Sequence, residues 1–366
     1  MKKMLYMCAI EWKWIAQRPH FMEMELEKYY NITVLSPIHV FKKMKSQKNT
    51  KLPEKFKEFY LLPYQEKAGL IEAISKWLFR FKVRNMNEYD IVWLGSSLFE
   101  KYIPKDYSGI VVFDYMDDCI SMQDDPRMKK AYETSQERLA QRANMICASS
   151  NYLINLLPDY AKEKTILVRN AFRGEVCIPP EKNEIGNKSG DGNAVTRIGY
   201  VGTIASWMDT ELLLKCRKQF PNTEFHFWGP VDGEKVNDEG FIYHGVVDHN
   251  EIPNVVSSMD ALMMPFVVND IVKAVDPVKL YEYISYGKTI ISVNYPEVER
   301  FADYVWLYNN ESEFSEMIGR LCMQDLPCRY DALMQKSFLE ANTWKERAKD
   351  VYEALEKSEI ADISNP

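Results

Sequence analysis

Several things are missing from this chain, and each absence narrows the choice. No apolar run approaches the roughly 20 residues that a membrane-spanning helix needs. The seven cysteines, at positions 8, 119, 147, 177, 216, 322 and 328, include no CxxC pair and no metal-ligand spacing. Zinc ribbons and dithiol redox motifs are thereby excluded, and the odd, scattered set reads as reduced thiols in a cytoplasmic protein. There is no surplus of positive charge: the net charge of -7 argues against a general nucleic-acid partner. A full GxGxxG fingerprint is also missing, which argues against a nicotinamide dehydrogenase. The amino terminus has the outline of a signal peptide, but its apolar part is short, Glu11 ends it and no small-residue cleavage site follows. We read Met4 to Ile10 as a first buried strand.

What is present is a globular composition, 46% apolar and 27% charged over 366 residues, a length that implies two domains. In the first half, short apolar runs alternate with helical patterns, as in a parallel sheet wrapped by helices. Predicted strands are Leu5 to Ala9, Ile32 to Leu35, Ile91 to Leu94, Ile110 to Phe113, Met145 to Ala148 and Ile166 to Val168. The loop from Glu11 to His20 opens at the carboxyl end of the first strand and leads into a helix from about Arg18 to Tyr29. Arg18 there either neutralises a diphosphate or makes a structural ion pair. His20 either contacts a sugar or is a solvated helix residue.

Residues 40–84 concentrate basic side chains in an otherwise acidic protein. Within them Leu70, Ile71, Ile74, Trp77, Leu78 and Phe81 form a helical stripe, with Phe79, Arg80, Lys82 and Arg84 on other faces. Two readings stay open: the stripe packs on the sheet, or the region docks on an anionic membrane. Further on, the strand Ile110 to Phe113 runs into Asp114, Asp117 and Asp118. The last two read as acceptor-binding or proton-handling groups, as helix caps, or as idle. With Asp124 and Asp125 they lack convincing metal-ligand spacing, and no metal is expected.

The first domain is placed at residues 1–172, a Gly/Pro/Lys/Asn-rich linker at 173–195, the second domain at 196–345 and a helix with tail at 346–366. The second domain opens with a strand, a glycine turn at Gly202 and Thr203 whose amides suit a phosphate, and a helix. Predicted strands follow at Glu224 to Pro230, Tyr243 to Val247, Ala261 to Pro265, Ile290 to Val293 and Val305 to Leu307. Between the third and fourth of these lies the stretch Asp276 to Lys288. Asp276 is read as an N-cap, Pro277 as the first helical residue and Gly287 as the stop. Lys279 and Glu282 fall on one face, close to the helix start. A helix start plus a lysine favours phosphate, and a carboxylate one turn deeper suits two ribose hydroxyls. The plain alternative is a surface helix with an ordinary Lys/Glu pair.

Taken in order, GYVGTI from Gly199, WGPV from Trp228, HGVV from His244, MMPF from Met263 and DPVKLYEYISYGKTII from Asp276 resemble the retaining glycosyltransferases of GT-B architecture, close to the large family-four group. RPH from Arg18 and VVFDYMDD from Val111 resemble a branch that makes bacterial surface polysaccharides. The resemblance covers nearly the whole chain apart from the basic region, the linker and the tail. It implies an α/β protein of two Rossmann-like domains with parallel sheets facing a central cleft. It implies a metal-independent, cofactor-free transferase moving sugar from a nucleotide-sugar donor to a lipid-linked or polysaccharide acceptor. Such an enzyme would be cytoplasmic; a peripheral seat on the inner membrane face belongs to the docking reading of residues 40–84, which the resemblance does not cover. The alternatives are a sugar-nucleotide epimerase or hydrolase of the same fold, and a non-catalytic nucleotide-sugar-binding protein. The implied donor set is Arg18, Gly202, Thr203, Val246, Val247, Asp276, Lys279, Leu280 and Glu282, with Asp117 and His20 as catalytic candidates. Two departures stand out. The family's second glutamate is Ala274 here, and its arginine after the glycine turn is Thr203. That leaves Lys279, Arg18, Lys273 or Arg197 to balance phosphate charge.

Overall fold

The computed structural model describes residues 1–39, 51–62, 69–174 and 195–364, with side chains described to residue 357. The linker at 173–195 and parts of the basic region therefore lie largely outside the described residues. The chain divides into two compact units, Met1–Asn170 with Trp344–Pro366, and Ala171–Thr343. The carboxyl-terminal helix thus belongs with the first unit.

The first unit is built on seven strands: β1 (Lys3–Met7), β2 (Asn31–His39), β3 (Phe56–Leu61), β4 (Ile91–Leu94), β5 (Ile110–Tyr115), β6 (Met145–Ala148) and β7 (Thr165–Leu167). Their order is β3-β2-β1-β4-β5-β6-β7, all parallel. β4 and β6 are buried along their whole length, as expected of strands covered on both faces. The order reverses beside β1, so the loops after β1 and β4 open at a switch point on the carboxyl edge. Helix Arg18–Leu26 covers this sheet, and the helix Trp344–Ser364 packs on it through the Phe21–Trp344 and Tyr29–Tyr352 ring pairs.

The second unit repeats the plan with six parallel strands: β8 (Thr196–Val201), β9 (Thr223–Trp228), β10 (Phe241–Gly245), β11 (Ala261–Met264), β12 (Thr289–Val293) and β13 (Trp306–Tyr308). Their order is β10-β9-β8-β11-β12-β13. Its switch point lies between β8 and β11. One core fills this unit, from Ile198 on β8 to Leu339 on the helix Ala332–Ala341.

Elements not anticipated include β3, the long helix Pro126–Arg142, the short helix Asp270–Ala274, and Ala332–Ala341. The basic region also needs a correction. Its helix is Gly69–Lys82, and Phe79, expected on an outer face, is buried together with Ser75. Phe79 stacks on Tyr102 at 4.5 Å and meets Phe59 of β3 edge-on at 5.6 Å. Leu70, Ile74, Trp77 and Phe81 of the expected stripe point outward instead of packing on the sheet. Among the described residues no helix is long and apolar enough to cross a membrane.

Candidate functional site

At the carboxyl edge of the second sheet, three neighbouring strands each end on a glycine with positive φ: Gly202 at 146°, Gly229 at 145° and Gly245 at 77°. The turns are laced together, with Gly202 N–H donating to the Trp228 carbonyl and Gly229 N–H to that of Gly245, both at 2.8 Å. A Cβ on Gly202 would lie 2.3 Å from Lys279 Cε and 3.0 Å from its Nζ. Glycine is required here twice over, by its φ and because the lysine stem lies across it. The sequence-expected phosphate turn and helix start therefore converge on one point.

Helix Val278–Ser285 starts one residue later than expected, with Pro277 at the N-cap. Lys279 sits in its first turn, where the amides have no intrahelical acceptor. Its ammonium lies 5.6 Å from the centre of the Tyr200 ring and 5.9 Å from that of Phe266. Such contacts contribute about 0.5–2 kcal/mol and leave the charge unneutralised. The turn is held by Tyr200 Oη, which donates to the Thr203 carbonyl at 2.9 Å. Glu282, one turn on, is half-buried and lies 3.5 Å from Nε2 of the exposed His249. Leu280, beside Lys279, is fully buried and belongs to the core. Val246 is exposed and Val247 half-buried on the loop after Gly245.

Asp276 is not an N-cap. Its carboxylate is buried, accepting from Tyr281 Oη at 3.0 Å and from Arg300 Nη2 at 2.6 Å. A cation 24 residues downstream outcompetes the free amides of the helix, because an ion pair in a dry environment is the stronger partner. Asp276 thus anchors the segment that leads into the helix.

Four cations were named as candidates to balance phosphate charge, and the structure separates them. Arg197 pairs with Glu224 at 3.2 Å at the amino end of β8, opposite the glycine turn. Lys273 pairs with Asp270 at 3.2 Å. Arg18 is buried in the first unit: Nε and Nη2 reach Asp114 Oδ1 at 3.1 and 2.8 Å, and Nη1 donates to the Val168 carbonyl at 2.8 Å. Lys279 has no carboxylate partner among the described residues. The structural ion pair, left open above, is where Arg18 is found.

His20 is likewise committed. Its Nδ1 accepts from Gln17 N–H at 3.1 Å, so Nε2 carries the proton and donates to the Trp12 carbonyl at 2.8 Å. Its ring packs 4.2 Å from that of Trp12, and the residue is buried. Both nitrogens fasten the loop between β1 and the helix, which removes His20 as a proton carrier. Asp117, past the end of β5, is different. It is half-buried, no side-chain hydrogen bond is made by it among the described residues, and burial pushes its carboxyl above the usual range against the pull of Arg18. Asp118 and Asp125 serve local structure, accepting from Ser121 N–H and Arg127 N–H.

Sequence reasoning missed Tyr200, Phe266 and His249. The rings bracket Lys279 from β8 and from the residues after β11, a meeting that no local pattern announces.

The fold is that of the GT-B glycosyltransferases, two α/β units each with a parallel sheet. No protein-family model matches the chain. Among curated proteins it is similar to the putative teichuronic acid biosynthesis glycosyltransferase TuaH of Bacillus subtilis (strain 168), 26% identical over 195 residues. That match covers 49% of this chain and 48% of TuaH, so the chain spans about half the length of the curated relative it matches. Among solved structures it is similar to HepE of Anabaena in complex with UDP, at a TM-score of 0.66 and 12% identity, covering 98% of this chain and 100% of that one. Sucrose-phosphate synthase from Thermosynechococcus elongatus gives a TM-score of 0.67 at 9% identity, with 99% and 100% covered.

Proposed function

We propose that this protein is a glycosyltransferase that takes a sugar from a nucleotide-sugar donor and passes it to a lipid-linked or polysaccharide acceptor in cell-surface polysaccharide synthesis. The observation that carries the reading is the unneutralised Lys279 ammonium lying across the Gly202 turn. A pyrophosphate suits it, because the lysine, the turn amides and the helix start all present positive charge to one spot. Glu282, one helical turn away, accepts from the ribose hydroxyls, and the loop at Val246 and Val247 offers backbone groups to the base. UDP is the first nucleotide to test, since HepE has been solved with UDP and with UDP and glucose, and the likeness to TuaH supports a surface polysaccharide as product.

In this reading the sugar–phosphate bond loosens to an oxocarbenium-like centre while Lys279 and the amides stabilise the departing diphosphate. Preorganised donors of this kind are worth roughly 3 kcal/mol each. No metal is called on, and the sugar is transferred with retention of configuration. The acceptor oxygen bonds to the anomeric carbon from the face the diphosphate leaves and gives its proton to that phosphate, while Asp117, its carboxyl raised by burial, orients the hydroxyl. A lipid-linked acceptor would be met at the inner membrane face.

The test is donor turnover in the presence and absence of lipid-linked acceptors, beside a thermal-shift screen of UDP-, GDP-, dTDP- and CDP-sugars. Binding at a hundred times the dissociation constant adds about 2.7 kcal/mol of stability. Free nucleotide released only with acceptor supports a transferase. Release without acceptor means a hydrolase, and a new sugar nucleotide without acceptor an epimerase. Either outcome rejects the proposal, as does binding of no nucleotide sugar.

A further inference from the structure

We propose that the outward face of helix Gly69–Lys82 is the surface on which this protein seats itself on an anionic lipid bilayer. Leu70, Ile74, Trp77 and Phe81 recur at spacings of four, three and four residues, which places them on one side of the helix. They are 76%, 42%, 58% and 60% exposed, and Trp77 meets Phe81 edge-on at 4.5 Å. The opposite side is already used, since Ser75 and Phe79 are buried against the unit. The outward stripe is therefore a second apolar face on a helix that the core already holds. Large side chains contiguous on a surface mark an interaction site, whereas scattered ones do not.

Charge identifies the occupant. Residues 69–84 carry Lys76, Arg80, Lys82 and Arg84 against Glu72 alone, four cations less one anion, net +3 in a chain of net charge -7. Arg80, Lys82 and Arg84 are exposed, and Lys76 answers Glu72 at 2.7 Å. A second copy docking through the same face would bring two +3 surfaces together. An anionic bilayer satisfies both demands: the stripe enters the acyl boundary with Trp77 at headgroup level, and the cations meet lipid phosphates. Lysine and arginine stems reach from the apolar level to the charged one. For its purpose the inference rests on the lipid-linked acceptor proposed above, but its physics does not.

Co-sedimentation with vesicles of phosphatidylcholine, alone and mixed with phosphatidylglycerol, tests it at low and physiological salt. The chain is expected to bind the anionic vesicles, more weakly as salt rises, and to leave the neutral ones in suspension. Trp77→Gln with Phe81→Gln should lower partitioning by about tenfold or more. Each of Arg80→Gln, Lys82→Gln and Arg84→Gln should lower it by about fivefold at low salt. Brominated lipid should quench the wild type more than Trp77→Phe. Thermal shift with UDP should be unchanged in all these variants. A chain that binds vesicles and no nucleotide would thus reject the transferase and keep the surface. The surface is rejected by no vesicle binding, by equal binding to neutral vesicles, by a Trp77→Gln/Phe81→Gln variant that binds like the wild type, or by a solution dimer that this variant abolishes in a chain that ignores lipid.

Discussion

The two units share one plan, a parallel sheet whose strand order reverses beside its first strand, yet they treat charge at the carboxyl edge in opposite ways. In the first unit Arg18 is neutralised by Asp114 within the protein, and His20 is tied at both nitrogens. In the second, Lys279 lies over a glycine turn between two aromatic rings with no carboxylate beside it among the described residues. A protein that neutralises its own cation has built a brace. One that leaves a half-buried cation without a counter-ion has left room for an anion from outside. On the proposed reading the phosphate therefore belongs to the second unit, while Arg18 and His20 brace the first.

The sharpest way to break this contrast is Arg18→Ala. It strands the buried Asp114 carboxylate, so the first unit should lose about 3–5 kcal/mol in denaturant unfolding, while UDP affinity of the folded fraction holds. Loss of UDP affinity without loss of stability would return Arg18 to the donor site. Glu23 offers a second probe of the same interior. Burial raises its carboxyl to about 7 from an ordinary 4.5. The native state then holds a proton that the unfolded chain releases, so this group's stabilising contribution is full below pH 4.5 and falls as pH rises to about 7. Glu23→Gln should remove that fall, leaving the variant about 2–3 kcal/mol more stable at pH 8 relative to wild type than at pH 4.5. Chemical denaturation across that range checks it. On the other side, Gly202→Ala places a methyl on the Lys279 stem and forces φ of 146° on a residue with a side chain. It should cost about 1–3 kcal/mol and lower UDP affinity by about tenfold or more. Glu282→Gln should have the smallest effect, about 1–2 kcal/mol on UDP binding by calorimetry, and a lesser one on 2′-deoxy-UDP.

How much of this was legible in the sequence depended on the range of the interaction. The Gly202 turn and the helix around Lys279 are local patterns; the turn is found where expected and the helix begins one residue late. Asp276 was misread because an Asp-Pro pair has the form of a cap, while its true partner Arg300 lies 24 residues away. Arg18 and Asp114 are 96 residues apart and meet only because β5 lies two strands from β1. β3 escaped notice because it is an edge strand that carries Lys57 and Glu58, charges that keep such an edge from pairing further and hide its apolar alternation. The helix Gly69–Lys82 was found from its periodicity, but its phase was not, since it has apolar residues on two sides and only packing decides which faces in.

Calorimetric titration of UDP into the wild type and Lys279→Ala tests the central claim most directly. An unchanged melting profile with affinity lowered by about tenfold or more, against no change for His20→Asn, is the expected result. Equal affinity in wild type and Lys279→Ala would contradict the account.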